Sequence, residues 1–264
     1  MKRTIKKILP AGTVKFLRKL KNLNLRNGAF ILLEKSRVTY AQDLLYTYHN
    51  ADFMKEPHFL ESYELGKQTD GGQLLKNNDI HWRTHVQCWA AYHAAHLEGD
   101  FVECGVRTGI FARSVVNYVG FQNLDKKFYL LDTFEGMSEK YSSPGEMEWH
   151  EQVGYGKKNL YEQVVDTFKD FNVKIIKGPV PETLSEVDTQ KVCFLSIDMN
   201  SVLPEVEALN FFWDRMVSGG IIILDDYGFA NRHNEQKEAH DAFAKSKGVL
   251  VLTLPTCQGM IIKP

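Results

Sequence analysis

Residues 101–116 read FVECGVRTGIFARSVV: a short apolar run ending beside an acid, a turn holding Gly105 and Gly109, then apolar residues at helical spacing. That change from strand period to helical period opens a βαβ unit. Downstream the pattern repeats. Strands are predicted at FVEC, KFYLLD, VKIIKG, VCFLSID and GIIILDD, with helices near 108–119, 157–171, 181–187 and 203–216 between them. Such alternation implies parallel strands joined by right-handed crossovers. A further helix near 234–246 leads to GVLVLTL and GMIIKP, which only PTCQ separates, a spacing that suits an antiparallel hairpin. The expected fold is α/β, a doubly wound Rossmann-like, mostly parallel sheet with an antiparallel hairpin at its carboxyl-terminal edge.

Upstream, turn signals at KEPH and QTDGGQ break up residues 1–95, and HWRTHVQCWAAYHAAHLEGD reads as a helix closed by Gly99. The chain is therefore expected to divide into a basic, mainly helical extension and lid over 1–95 and a ligand-binding domain over 96–264. With 264 residues, 44% hydrophobic and 25% charged, it has ordinary globular usage. No apolar run reaches the roughly 18 residues of a membrane span, and MKRTIKKILPAGTVKF lacks the apolar block of a signal peptide. Cys88, Cys104, Cys193 and Cys257 lie far apart without a CxxC pair, which favours a reduced, cytoplasmic protein.

The net charge of −1 hides an asymmetry. Residues 1–33 carry nine Lys and Arg and no acid; the remainder holds 23 basic and 33 acidic side chains, a net of −10. The acidic body argues against nucleic acid as a partner. The basic arm interleaves its charges with Ile5, Ile8, Leu9, Phe16, Leu17 and Leu20, so it suits an anionic membrane surface, a partner subunit or solvent. Peripheral contact at the inner face of a membrane and homo-oligomerisation are both expectations of that arm.

In doubly wound sheets ligands bind beyond the carboxyl ends of the strands. Glu103, Asp132, Asp198, Asp225 and Asp226 all stand there. Gly105 and Gly109 permit a tight turn with helix N–H groups aimed at a ligand, and Asp132 is placed to accept the hydroxyls of a ribose. A dinucleotide site fits less well, because the spacing is GxxxG and the acid follows Gly105 by 27 residues. Asp225 and Asp226 pose a problem of their own: adjacent carboxylates repel, and something must offset that cost. The histidine pairs His81/His85 and His93/His96 lack HExxH or a cysteine pair, so they read as polar residues of an amphipathic helix rather than zinc ligands. His150, within GEMEWHEQVGYG, belongs to a segment expected to cover the acceptor and is a candidate base.

The motifs ECGVRTG, LLDTFEGM, GYGKKNL, KGPVPETL, SIDMN and SGGIIILDDYGF occur in an order that resembles the macrocin O-methyltransferase (TylF-like) family of class I S-adenosylmethionine-dependent methyltransferases. The resemblance spans roughly residues 80–264. It implies S-adenosylmethionine at Glu103, Gly105, Thr108, Gly109, Asp132, Thr133 and Gly178. It also implies a divalent cation such as Mg²⁺ at Asp198, Asp225 and Asp226, with Asp198 as the catalytic residue. The implied acceptor is a hydroxyl of a small-molecule or lipid-linked saccharide, in surface-glycan or natural-product biosynthesis. One departure stands out: many relatives carry D-x-D-x-Y, and here Asn200 replaces the second acid. Two rivals are methylation of a non-sugar diol and a non-catalytic nucleoside-binding scaffold; the intact rim acids argue against the second.

Overall fold

The structure, a computed structural model, describes residues 38–76, 78–153, 160–229 and 234–264. The basic arm over 1–33 and nearly all of GYGKKNL lie outside the described residues. The described chain opens with an antiparallel hairpin, β1 (Tyr40–Gln42) and β2 (Leu45–Thr47), turned by Asp43 and Leu44 at φ 50° and 58°. Two helices come next, α1 (Pro57–Thr69), with proline in its first turn, and α2 (His81–Ala95). Alternation then begins with β3 (Asp100–Cys104), α3 (Ile110–Tyr118) and β4 (Phe128–Asp132). It continues through α4 (Pro144–Val153), α5 (Tyr161–Phe168), β5 (Val173–Lys177) and β6 (Val192–Ile197). The chain closes with α6 (Val202–Trp213), β7 (Met216–Leu224), α7 (Asn234–Ser246), β8 (Leu252–Thr253) and β9 (Gly259–Ile262).

The seven-stranded sheet has the order β5-β4-β3-β6-β7-β9-β8. Strands β3 to β7 pair in parallel, and β9 runs antiparallel between β7 and β8. The order reverses between β3 and β6, which makes their carboxyl ends the switch point where α/β sheets open a crevice. Every predicted strand is present. Two helix expectations need correction: α4 was not foreseen, and the helix near 181–187 is one 3₁₀ turn, Glu182–Glu186.

Side-chain alternation sorts the strand residues onto two faces. Val102, Cys104, Leu131, Leu195, Ile197, Ile222 and Leu224 join Leu209, Phe212 and Phe243 of α6 and α7 in one core. Phe101, Phe128, Leu130, Phe194, Ile221 and Ile223 join Ala91, Val115 and Phe168 from α2, α3 and α5 in the other. Burying each large apolar side chain is worth about 1.5–3 kcal/mol, so both faces are driven together. Residues Thr39–Pro264 form a single compact unit, in which residues 39–95 supply the hairpin as well as α1 and α2. Two histidines of α2 serve packing: His85 stacks on Phe53 with ring centroids 4.0 Å apart, and the His81 ring centroid lies 4.1 Å from that of Tyr63, whereas His93 and His96 are exposed. Among the described residues, no helix is long and apolar enough to cross a membrane.

Candidate active site

Backbone bonds carry the parallel ladder one residue past the strand ends. Gly105 donates to Leu131 at 2.9 Å, Gly178 to Asp132 at 2.9 Å, Asp198 to Cys104 at 2.8 Å and Asp225 to Ile197 at 3.0 Å. Acids far apart in sequence are thereby placed on one rim. They border a cavity of about 400 Å³, the size of a small-ligand site. Glu103, Gly105, Asp132, Thr133, Gly178, Asp198, Asp225 and Asp226 all line it.

Thr108 and Gly109 are not brought to that wall. Thr108 is fully buried with its hydroxyl 3.4 Å from that of Thr69, and Gly109 starts α3 at φ 91°. The glycines also have intramolecular reasons. A Cβ on Gly105, at φ 92°, would sit 1.9 Å from the Asp198 carbonyl oxygen, so the first turn and the β6 exit touch backbone to backbone.

On the β3–β4 side, Asp132 organises the turn. Its Oδ2 accepts the N–H groups of Val106 and Arg107 at 2.7 and 2.8 Å, and its Oδ1 accepts that of Phe134 at 2.5 Å. Glu103 is 1% exposed, and its Oε2 has no hydrogen-bond partner. Burial, then the charges of Asp225 and Asp132, push its carboxyl well above the usual carboxylate range. An orphaned acid oxygen in a cavity wall fits a cationic ligand group such as an amino-acid ammonium.

On the β6–β7 side, carboxylate oxygens of Asp198, Asp225 and Asp226 lie within 4.8 Å of one another. The offset that the Asp225–Asp226 pair requires comes partly from a residue sequence reasoning missed, Arg83 of α2. Its Nη1 donates to Asp225 Oδ2 at 2.6 Å and to Asp226 Oδ1 at 3.1 Å, and its Nε to Asp43 Oδ2 at 2.8 Å. Gln258 Nε2 donates to Asp225 Oδ1 at 2.8 Å. Asp225, 3% exposed, therefore has both oxygens held. Among the described residues, the Asp198 side chain has only the Asn200 amide, at 3.3 Å. Burial, followed by repulsion from Asp225 and Asp226, holds the Asp198 carboxyl well above its ordinary range.

One guanidinium facing Asp43, Asp198, Asp225 and Asp226 leaves excess negative charge. Among the described residues no donor bonds Asp198 Oδ2 or Asp226 Oδ2. Those hard oxygens fit Mg²⁺ better than a soft metal. The only sequence signal for Arg83 is a lone arginine in an aromatic, histidine-rich helix.

Helix α4 brings Trp149 and His150 to the same wall. It begins with a capping box, in which Ser143 N–H donates to Glu146 Oε2 at 2.6 Å and Glu146 N–H to Ser143 Oγ at 3.3 Å. Glu146 Oε1 also accepts the N–H of Val202 at 2.8 Å, fastening α4 beside the Asp198 turn. Burial lowers the pKa of His150, which favours the neutral imidazole a base requires.

A profile of the Macrocin-O-methyltransferase (TylF) family matches residues 83–251. The chain belongs to that family. A curated relative in sequence is the 8-demethyl-8-(2,3-dimethoxy-alpha-L-rhamnosyl)-tetracenomycin-C 4'-O-methyltransferase of Streptomyces olivaceus. It is 30% identical over 152 residues, which cover 53% of this TylF-family chain and 57% of the relative. The match thus spans a little over half the length of that relative. Among solved structures, the O-methyltransferase NovP superposes with TM-score 0.59 at 18% identity, covering 69% of this chain and 79% of NovP. The calicheamicin methyltransferase CalS11 superposes with TM-score 0.50 at 12% identity, covering 89% and 99%. At such identities the two structures speak to the fold alone.

Proposed function

We propose that this TylF-family chain is an S-adenosylmethionine-dependent, divalent-cation-dependent O-methyltransferase acting on a hydroxyl of a sugar or glycoside. The observation that carries the reading is one cavity joining two unlike halves: Glu103 and Asp132 on one side, and three clustered aspartates on the other. When bound, S-adenosylmethionine supplies an electrophilic methyl group, and a divalent cation supplies a Lewis acid that makes a hydroxyl more acidic. Glu103 Oε2 would meet the ammonium of the cofactor. Asp132, with three N–H groups already on its carboxylate, keeps one lone pair on Oδ1 for a ribose hydroxyl. Asp198 and Asp226 would hold the cation through their unbonded oxygens, with Asp225 as a braced third member. The Asp198 carboxylate is the first choice to receive the acceptor's proton, and His150 stands at the same wall as the alternative base.

The name of the Streptomyces olivaceus relative, which methylates a rhamnosyl group, supports a sugar acceptor over a catechol-like diol. The test is methyl uptake from labelled S-adenosylmethionine across glycosides, sugar nucleotides, lipid-linked saccharides and catechols, with and without chelator. Turnover of a saccharide that stops in EDTA and returns with Mg²⁺ is expected. Turnover restricted to catechols would overturn the acceptor, and full activity in EDTA the cation.

A further inference from the structure

The proposed chemistry leaves one buried acid unused. Glu205, in the first turn of α6, is 2% exposed, and a carboxylate at that depth persists only with partners. Its Oε1 accepts the backbone N–H groups of Met199 and Asn200, both at 2.9 Å, and the Gln236 amide at 3.0 Å. Its Oε2 lies 3.0 Å from Nε2 of His240, itself 2% exposed. Met199 and Asn200 directly follow Asp198, and Asn200 has φ 57°, a left-handed turn conformation that asparagine adopts more readily than other non-glycine residues. Glu205 therefore grips the turn through its two N–H groups, while Asp198 N–H is held by the Cys104 carbonyl. The far partner closes the link: the His240 ring stacks on Tyr227, next to Asp226, with an interplanar angle of 20° and centroids 6.3 Å apart.

We infer that Glu205 and His240 are positioning residues that set the Asp198 turn against the Asp225–Asp226 turn, and so fix the spacing of the three aspartates. Neither side chain lines the cavity, so neither touches a substrate. Outer-shell partners of metal ligands typically change metal affinity or activity 10–100-fold when removed. The inference rests on the cation reading above, and the experiment separates the two. Mn²⁺ binding to the full chain is measured by calorimetry without acceptor, S-adenosylmethionine binding is measured separately, and kcat is measured with the acceptor in saturating Mg²⁺.

Glu205→Leu should weaken Mn²⁺ binding and lower kcat, each by about 10–100-fold, with cofactor affinity within about twofold of wild type. Glu205→Gln keeps an amide oxygen for the two N–H groups and should restore most of both. His240→Leu, which leaves the turn bonds in place, should show the same directions more weakly and serves if Glu205→Leu does not fold. Wild-type Mn²⁺ affinity and kcat in these variants, with only a lower Tm, would overturn the inference. If wild type binds no Mn²⁺, the cation reading fails instead. In that case a kcat unchanged by Glu205→Leu or His240→Leu overturns the positioning role, and a reduced kcat at unchanged cofactor affinity sustains it.

Discussion

Asp225 and Asp226 are neighbours in sequence but differ in setting. Asp225 is 3% exposed with Arg83 on one oxygen and Gln258 on the other, whereas the Asp226 side chain is 14% exposed and, among the described residues, shares only Arg83. Breaking a buried, fully bonded charge pair costs about 3–5 kcal/mol. Removing either aspartate relieves repulsion on Asp198, but Asp226 gives up one bond where Asp225 gives up two at a more buried position. Asp225→Asn should therefore cost about 2–4 kcal/mol in urea denaturation, and Asp226→Asn less than about 1 kcal/mol. Equal costs would mean that Gln258 and the deeper burial of Asp225 do not distinguish them. Asp70 offers a pH-dependent counterpart. Its buried carboxylate receives Leu74 and Leu75 N–H groups at 2.8 and 3.0 Å and Arg107 at 2.9 Å. Burial alone would raise its pKa, but the Leu75 N–H, Arg107 and the Leu74 N–H together hold it below the ordinary value. A depressed acid stabilises above its unfolded pKa of about 3.9 and loses that contribution as pH falls through the folded value. The stability gap between wild type and Asp70→Asn should be constant from pH 6 to 8 and shrink below about pH 4. A gap that widens in acid would contradict the assignment.

At the scale of elements, α1 lies across α3 at Gly66. A Cβ there would come 2.0 Å from Ser114 Oγ and 2.4 Å from the Ile110 carbonyl oxygen. Serine can turn away; the carbonyl belongs to the α3 backbone and cannot. Alanine has the better helix propensity by about 1 kcal/mol, but overpacking of this kind costs about 1–3 kcal/mol or more. Gly66→Ala is thus expected to lower Tm rather than raise it, by several degrees in a circular-dichroism melt. Because Asp70 comes directly after α1 and holds Arg107 at the cavity, the same variant should also weaken cofactor binding. A hydrogen bond, from Val202 N–H to Glu146 Oε1, fastens α4 beside the site although that helix lies outside the βαβ count.

For the whole molecule, a ligand that binds only the native state must stabilise it by mass action. S-adenosylmethionine at 100 times its Kd should add about 2.7 kcal/mol, which for a unit of this size corresponds to about 5–10 °C in Tm. A chain beginning at Glu34 should give the same shift while losing liposome binding or changing its sedimentation. An absent shift in both chains would favour a scaffold that has lost the cofactor; loss of the shift only on truncation would make the arm part of the cofactor-binding unit.

Strands, their parallel sense and the acids at their ends were legible in the sequence, because each rests on local periodicity. VCFLSID and GIIILDD announce buried strands within a few residues, and the residues just past the end of a parallel strand land on the ligand-bearing rim. The insertion of β9 between β7 and β8 was legible only as a hairpin: pairing by itself does not say which strand meets the sheet. Tertiary structure alone decided the rest. Arg83 reaches Asp225 across 142 residues, and Glu146 reaches Val202 across 56. The backbone contact at Gly105 and the bonds of Glu205 appear only once β3, β6, α6 and α7 are assembled. No local pattern encodes such contacts, since a charge on one helix carries no mark of the partner that packing will bring to it. The fold could be read from spacing, whereas the compensation of the aspartates depended on which surfaces the two cores brought together.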